Sequence, residues 1–191
     1  MGFLSKSLVA VLLALLCCAP AWAGPAMAPE QLRALFLQRI VKYVHWPEAA
    51  RPAPGRPFVI AAANPAPLRP WFRDADPARF RLVAWPAEDC QVLYLNTDNP
   101  REAAAVLQQI GGRPVLTVGE NSAFADLGGI ISFIPSGSRL RLLANPAAAS
   151  RAGLGLSARL LELAIVRGAE HGANQRAEVE ATADAGPEAR P

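Results

Sequence analysis

The chain has 191 residues, of which 52% are hydrophobic and 18% charged, and its formal net charge at pH 7 is +3. This length suits a targeting segment followed by one domain with a sizeable hydrophobic core. The basic residues form no runs, so the charge gives no support to nucleic-acid binding.

The first 23 residues have the pattern of a secretory signal peptide. Lys6 precedes an apolar stretch over residues 8–18, which is too short to span a bilayer. Ala21 and Ala23 fit the small-x-small cleavage rule, so the pattern predicts export and no membrane insertion after cleavage. Alternatives are an uncleaved anchor helix, or lipid attachment at Cys17 or Cys18, which the preceding Leu16 disfavours.

Cleavage would leave Cys90 as the only cysteine, which excludes an internal disulfide. The apolar run that follows it over residues 91–95 favours a small buried core residue. An intermolecular disulfide, and with it a homodimer, is the alternative.

Residues 29–46 are predicted to form the first helix, since their apolar residues recur at helical spacing. Trp46-Pro47 ends it, because a residue that precedes proline avoids the helical region. His45 has no second ligand at metal-binding spacing, so the pattern favours a structural role at the helix end, and no metal site is predicted.

The middle of the chain alternates short strands with helices. We expect strands over residues 58–63, 80–85, 91–95 and 115–118, and helices over residues 67–74, 100–110 and 122–127. Gly111-Gly112 and Gly128-Gly129 are helix stops. This alternation is typical of an open, mostly parallel sheet with helices on both faces, a three-layer α/β fold.

The last part of the domain is predicted to be a hairpin, a helix and a tail. Strands over residues 129–134 and 139–143 flank turn residues and would add an antiparallel hairpin at the edge of the sheet. A packed helix is expected over residues 147–168. Residues 172–191 contain few apolar side chains and are predicted to be a disordered tail.

Two surfaces are candidates for function. The hairpin offers a protein partner Ile131, Phe133, Arg139 and Arg141, although arginines on an exposed edge also prevent aggregation without any partner. In parallel sheets, ligands bind at the carboxyl ends of the strands. Polar residues follow several predicted strands, and each could instead cap a helix or form a turn: Asn64, Asn96, Glu120, Asn121 and Asn145.

Motifs for catalysis are missing from the sequence. It has no Gly-x-Ser-x-Gly elbow, no phosphate loop, no dinucleotide fingerprint after a strand and no His/Cys cluster at metal spacing. Asp89 would raise the pKa of Cys90 rather than activate it. The sequence therefore predicts a non-enzymatic protein without a cofactor.

Seven segments follow one another across residues 31–167: LRALFLQRIVKYVHWPE, FVIAAANP, CQVLYLN, VLTVGE, FADLGGIISFIP, RLRLLAN and AAASRAGLGLSARLLELA. In this order they resemble the YfiR family of periplasmic proteins. The family's pattern also places an Asn at the position of Asn145. YfiR-like proteins often carry paired cysteines, and the single Cys90 departs from that pattern.

The resemblance implies one α/β domain over residues 24–171 in the periplasm. It implies a regulator that represses an inner-membrane diguanylate cyclase by binding its periplasmic part, so that release raises cyclic-di-GMP and favours biofilm formation. The alternatives are a periplasmic small-molecule binding module that uses the strand-end crevice, and a cryptic enzyme.

Overall fold

A computed structural model describes residues 27–73, 76–137 and 139–167. The predicted signal peptide, position 138 of the hairpin turn and the predicted tail lie outside the described residues. Helices and strands follow in this order: α1 Pro29–Ile40, β1 Val44–His45, β2 Phe58–Ala62, α2 Arg69–Arg73, β3 Phe80–Ala84, β4 Val92–Leu95, α3 Pro100–Ile110, β5 Leu116–Gly119, α4 Ser122–Asp126, β6 Ile131–Ser136, β7 Arg139–Ala144, α5 Pro146–Arg151, β8 Gly155–Leu156, α6 Ala158–Leu163 and β9 Ala164–Val166.

Seven strands form the main sheet in the order β3-β2-β4-β5-β6-β7-β9. Every neighbouring pair is parallel except the hairpin β6-β7. A separate two-stranded antiparallel sheet joins β1 to β8. The α/β class, the mostly parallel sheet and the antiparallel hairpin are therefore confirmed.

Two hydrophobic clusters cover the two faces of the main sheet. On one face, Leu37 and Ile40 of α1 pack with Tyr94 and Phe133 of the sheet. On the other face, Phe124 of α4 joins a cluster that includes Ala103 and Ile110 of α3 and alternate residues of β4. Burial of each large apolar side chain contributes roughly 1.5–3 kcal/mol to the free energy of unfolding.

The predicted helix over residues 147–168 is wrong. This stretch contains two short helices, α5 and α6, and two short strands, β8 and β9. Gly153 adopts φ of +69°, which interrupts a right-handed helix directly after α5. The first predicted helix also ends earlier, at Ile40, and continues as a 3-10 turn over Val41–Tyr43 before β1.

The hairpin does not form the outer edge of the sheet, because β9 pairs in parallel with β7. Leu143 lies opposite Ile165 in this pairing. Within the described residues the outermost strand on this side is β9, which the sequence pattern assigned to a helix.

Candidate functional site

Three predicted site residues meet at the carboxyl ends of β2, β4 and β5. The Asn96 side chain accepts a hydrogen bond from the Asn64 backbone N at 2.9 Å and donates one to the Asn64 carbonyl O at 2.8 Å. This reciprocal pair fixes the two strand ends side by side. Glu120 follows β5 on the same edge of the sheet.

Glu120 is the centre of a charged cluster. One carboxylate oxygen accepts a hydrogen bond from Arg33 Nη2 at 2.7 Å, and the other accepts one from the Tyr94 hydroxyl. The Arg33 and Glu120 side chains are only 19% and 20% exposed. Arg33 reaches the site from α1 and Tyr94 from β4, so the cluster ties the first helix to the centre of the sheet. We call Arg33, Tyr94 and Glu120 the strand-end cluster.

The strand-end cluster lines a cavity of about 180 Å³, together with Glu30, Pro67, Leu68, Asn96 and Asp98. The Nε of Arg33 is buried and has no hydrogen-bond partner among the described residues. This atom has almost no accessible surface, so a ligand in the cavity cannot reach it. Three carboxylates line the cavity beside the single guanidinium of Arg33, so its charge does not favour an acidic ligand: Glu30, Asp98 and Glu120.

Asn121 lies beside this cluster but acts in a different way. Its side chain accepts a hydrogen bond from the Phe124 backbone N at 3.0 Å and so caps α4. It lines a neighbouring cavity of about 200 Å³ rather than the cavity that contains Arg33. In this structure the contacts of the Asn121 side chain are therefore those of a helix cap, which was the alternative to ligand binding.

Asn145 does not join the other four residues, so the expectation of one crevice lined by all five is wrong. Because β7 runs antiparallel to β6, the end of β7 lies level with Ile130 and Ile131, at the start of β6. Asn145 is 7% exposed. Its side chain accepts from the Ala148 backbone N at 3.0 Å and donates to the Ala125 carbonyl O at 3.3 Å.

Two of the predicted partner-binding residues are inaccessible. Ile131 and Phe133 are 0% and 1% exposed. The Phe133 ring packs 5.9 Å from the rings of Phe36 and Tyr94, on the core side of the hairpin. They cannot contact a partner in this conformation, because a strand that is covered on one face directs alternate side chains into the core.

Arg139 and Arg141 are exposed on the opposite face of the hairpin, because successive residues of a strand face opposite sides. The cross-strand pairing places Ile134 opposite Arg141, and Leu143 lies on the same face opposite Ile165. Ile134 and Leu143 are half-buried and Ile165 is 39% exposed. We call these five residues the outward hairpin face: Ile134, Arg139, Arg141, Leu143 and Ile165. Sequence reasoning missed Ile134 because it chose the other phase of β6, and it missed Ile165 because it placed that residue in a helix.

The structure places Cys90 in the hydrophobic core and His45 on a short surface strand. Cys90 is buried among Val59, Leu93 and Ile110, as the core interpretation expects. Burial raises the pKa of the Cys90 thiol above its ordinary value, although the nearby Arg113 opposes this shift. His45 is exposed on β1, opposite Gly155 of β8.

The described part of the chain holds neither a metal-ligand cluster nor a membrane-spanning helix. Among residues 27–73, 76–137 and 139–167, no three His, Cys, Asp or Glu side chains are grouped as a metal site would need. In the same ranges, no helix combines the length and the apolar character needed to cross a bilayer.

Comparison with known proteins identifies a family. The family model described as DUF4154, YfiR/HmsC-like, matches residues 30–165. No protein of curated function matches the chain. A crystal structure of a conserved domain protein from Vibrio cholerae O1 biovar El Tor str. N16961 is similar with a TM-score of 0.47 and 13% sequence identity, over 73% of this chain. The match spans 60% of the length of that protein.

Proposed function

Since this chain belongs to the YfiR/HmsC-like family of periplasmic regulators, we propose that it represses an inner-membrane diguanylate cyclase by binding the cyclase's periplasmic part. Residues 1–23 would direct its export, and residues 24–171 would act as one non-enzymatic domain. Release of the cyclase would then raise cyclic-di-GMP and favour biofilm formation.

The outward hairpin face is the observation that carries this proposal. It combines two exposed arginines with apolar side chains that the sheet leaves partly uncovered. Arginine is enriched among the residues that contribute most to binding at protein interfaces, where it stands beside buried apolar surface. The guanidinium groups would select an acidic patch on the partner, while Ile134, Leu143 and Ile165 would supply apolar contact area.

Repression requires a difference in affinity between two states of the partner. A regulator that binds the active and inactive forms of a cyclase equally would not change its activity. A preference of about tenfold for the inactive form corresponds to about 1.4 kcal/mol. The outward hairpin face would therefore fit a surface of the partner that differs between its two states.

Affinity capture from membranes of the native host tests the proposal, with the mature protein as bait. We expect the wild-type protein to capture a membrane diguanylate cyclase, and Arg139→Glu/Arg141→Glu to lose it. The matched control is Arg39→Glu/Arg69→Glu, which reverses two exposed arginines on α1 and α2. Equal capture by all three proteins would show that the hairpin does not contact the partner. If the wild type captured no membrane signalling protein, the proposed function would be contradicted.

A further inference from the structure

A broad groove of about 670 Å³ lies away from both surfaces described above. It is bounded by the end of α3, the connection from α4 to β6, and α5. Its lining includes Leu107, Leu127, Arg113 and Arg151, and none of the described residues that line it is acidic. We call it the arginine groove. Its charge and its partly apolar wall fit an acidic peptide segment better than a basic or purely polar one.

The described chain ends beside this groove. The Arg167 backbone N donates to the Ala144 carbonyl O at 2.8 Å, directly after β9. The Arg167 guanidinium pairs with Asp126 at 2.8 Å. Asp126 directly precedes Leu127 and Gly128, which both line the groove. Residue 168 therefore follows a point that is fixed next to the groove wall.

The segment that follows has the complementary charge. Residues 168–191 contain five acidic residues and two arginines. Glu178 and Glu180 flank Val179, which is the largest aliphatic side chain in this segment. A segment with so few apolar residues forms no core of its own, but such segments bind surfaces of opposite charge.

We propose that residues 168–191 bind in the arginine groove of the same chain, with Glu178 and Glu180 facing Arg113 and Arg151. Val179 is 12 residues beyond Arg167, and 12 residues span up to about 40 Å, so the reach is ample. A tethered segment has an effective concentration in the millimolar range, so a contact with a millimolar Kd would already occupy the groove about half of the time. An acidic segment of another protein would have to displace residues 168–191 first.

Disulfide trapping in the full mature chain tests the contact. Gln108, an exposed residue of the groove, and Val179 are both replaced by cysteine. Cys90 is buried and its thiol pKa is raised, so it does not compete for the new thiols. The control pairs Val179→Cys with Ala53→Cys, an exposed site on the wall of a different cavity. We expect mild oxidation at low protein concentration to form the intramolecular Gln108→Cys bond at least about fivefold faster than the control bond.

Charge variants of the same trapping pair distinguish specific binding from random collision. Arg113→Gln/Arg151→Gln should slow trapping about fivefold, as should 1 M salt, because surface ion pairs are screened. Arg39→Gln/Arg69→Gln should leave the rate unchanged, and the unfolding temperature of each variant checks that it is folded. Equal rates for the groove and control pairs, or no effect of the groove arginines on the rate, would overturn the proposal.

Discussion

Replacement of Gly119 by alanine tests how α4 is held against the sheet at the strand-end cluster. An added Cβ at Gly119 would lie well under 3.0 Å from the Phe124 ring, and one at Gly129 would meet the same ring. Phe124 is 3% exposed, so moving its ring away from the new methyl group would disturb packed side chains. We expect Gly119→Ala to lower the free energy of unfolding by about 2–3 kcal/mol, as overpacking of a filled core does.

Urea unfolding, followed by far-UV circular dichroism, measures this loss, and a double-mutant cycle identifies its cause. Phe124→Ala should cost about 3–5 kcal/mol, since it leaves a cavity. In Phe124→Ala/Gly119→Ala the clash is gone, so the loss should equal that of Phe124→Ala alone. Gly112→Ala is the control, because its added Cβ would meet nothing closer than the Arg151 carbonyl O at 3.7 Å. Additive losses in the double variant, or a Gly119→Ala protein as stable as the control, would refute the reasoning.

Two further predictions concern buried polar groups. Asn145→Ala should lower the free energy of unfolding in urea by about 2–3 kcal/mol, since it removes the α5 cap and a donor to the Ala125 carbonyl. The control Asn99→Ala removes an exposed cap and should lower it by only about 1 kcal/mol. Equal losses in the two variants would contradict the buried role of Asn145. Cys90 in the mature protein should not react with a thiol reagent at pH 8 until urea unfolds the chain. Because burial raises the thiol pKa of Cys90 in the folded state, its contribution to stability is complete below the unfolded thiol pKa, about 8.5, and is lost as pH rises further. Rapid reaction of the folded protein would refute this assignment.

The central sheet could be predicted from the sequence because its signals are local. The apolar run at β4 is short and continuous, as expected of a strand covered on both faces. Asn99 accepts hydrogen bonds from Arg101 N and Glu102 N, so the predicted helix start at Pro100 is correct. Each of these features depends on residues within one element, and a pattern along the chain is enough to locate it.

The end of the domain could not be predicted in this way. Apolar residues over 154–165 have helical spacing, yet Gly153 breaks the helix and β9 pairs with β7 instead. This pairing places Leu142 opposite Ala164, and the stabilisation that it provides comes from contacts between two separate segments of the chain. Tertiary pairing overrides local helix propensity here, and periodicity contains no information about it.

The candidate site shows the same limit. Arg33 and Glu120 are 87 residues apart in sequence, and nothing near either residue indicates that they pair. The direction of each strand also decides which residues reach the same edge of the sheet. Asn64, Asn96 and Glu120 share one edge because β2, β4 and β5 are parallel, whereas the antiparallel β7 carries Asn145 away from that edge. The sequence predicts the hairpin correctly, and the reversal of chain direction at its turn takes Asn145 to the opposite edge of the sheet.

The phase of β6 decides which residues can bind a partner. The run from Ile131 to Ile134 is apolar at three of its four positions, so its sequence does not reveal which side faces the core. The packing of Phe133 on Phe36 and Tyr94 fixes the answer and directs Ile134 outward, next to Arg141. Ile134 is only half-buried beside Arg141, so part of its apolar surface stays in contact with water in the isolated protein. That surface becomes buried when a partner with acidic and apolar surface covers the outward hairpin face, which is why charge reversal at Arg139 and Arg141 is the decisive perturbation for the proposed regulator.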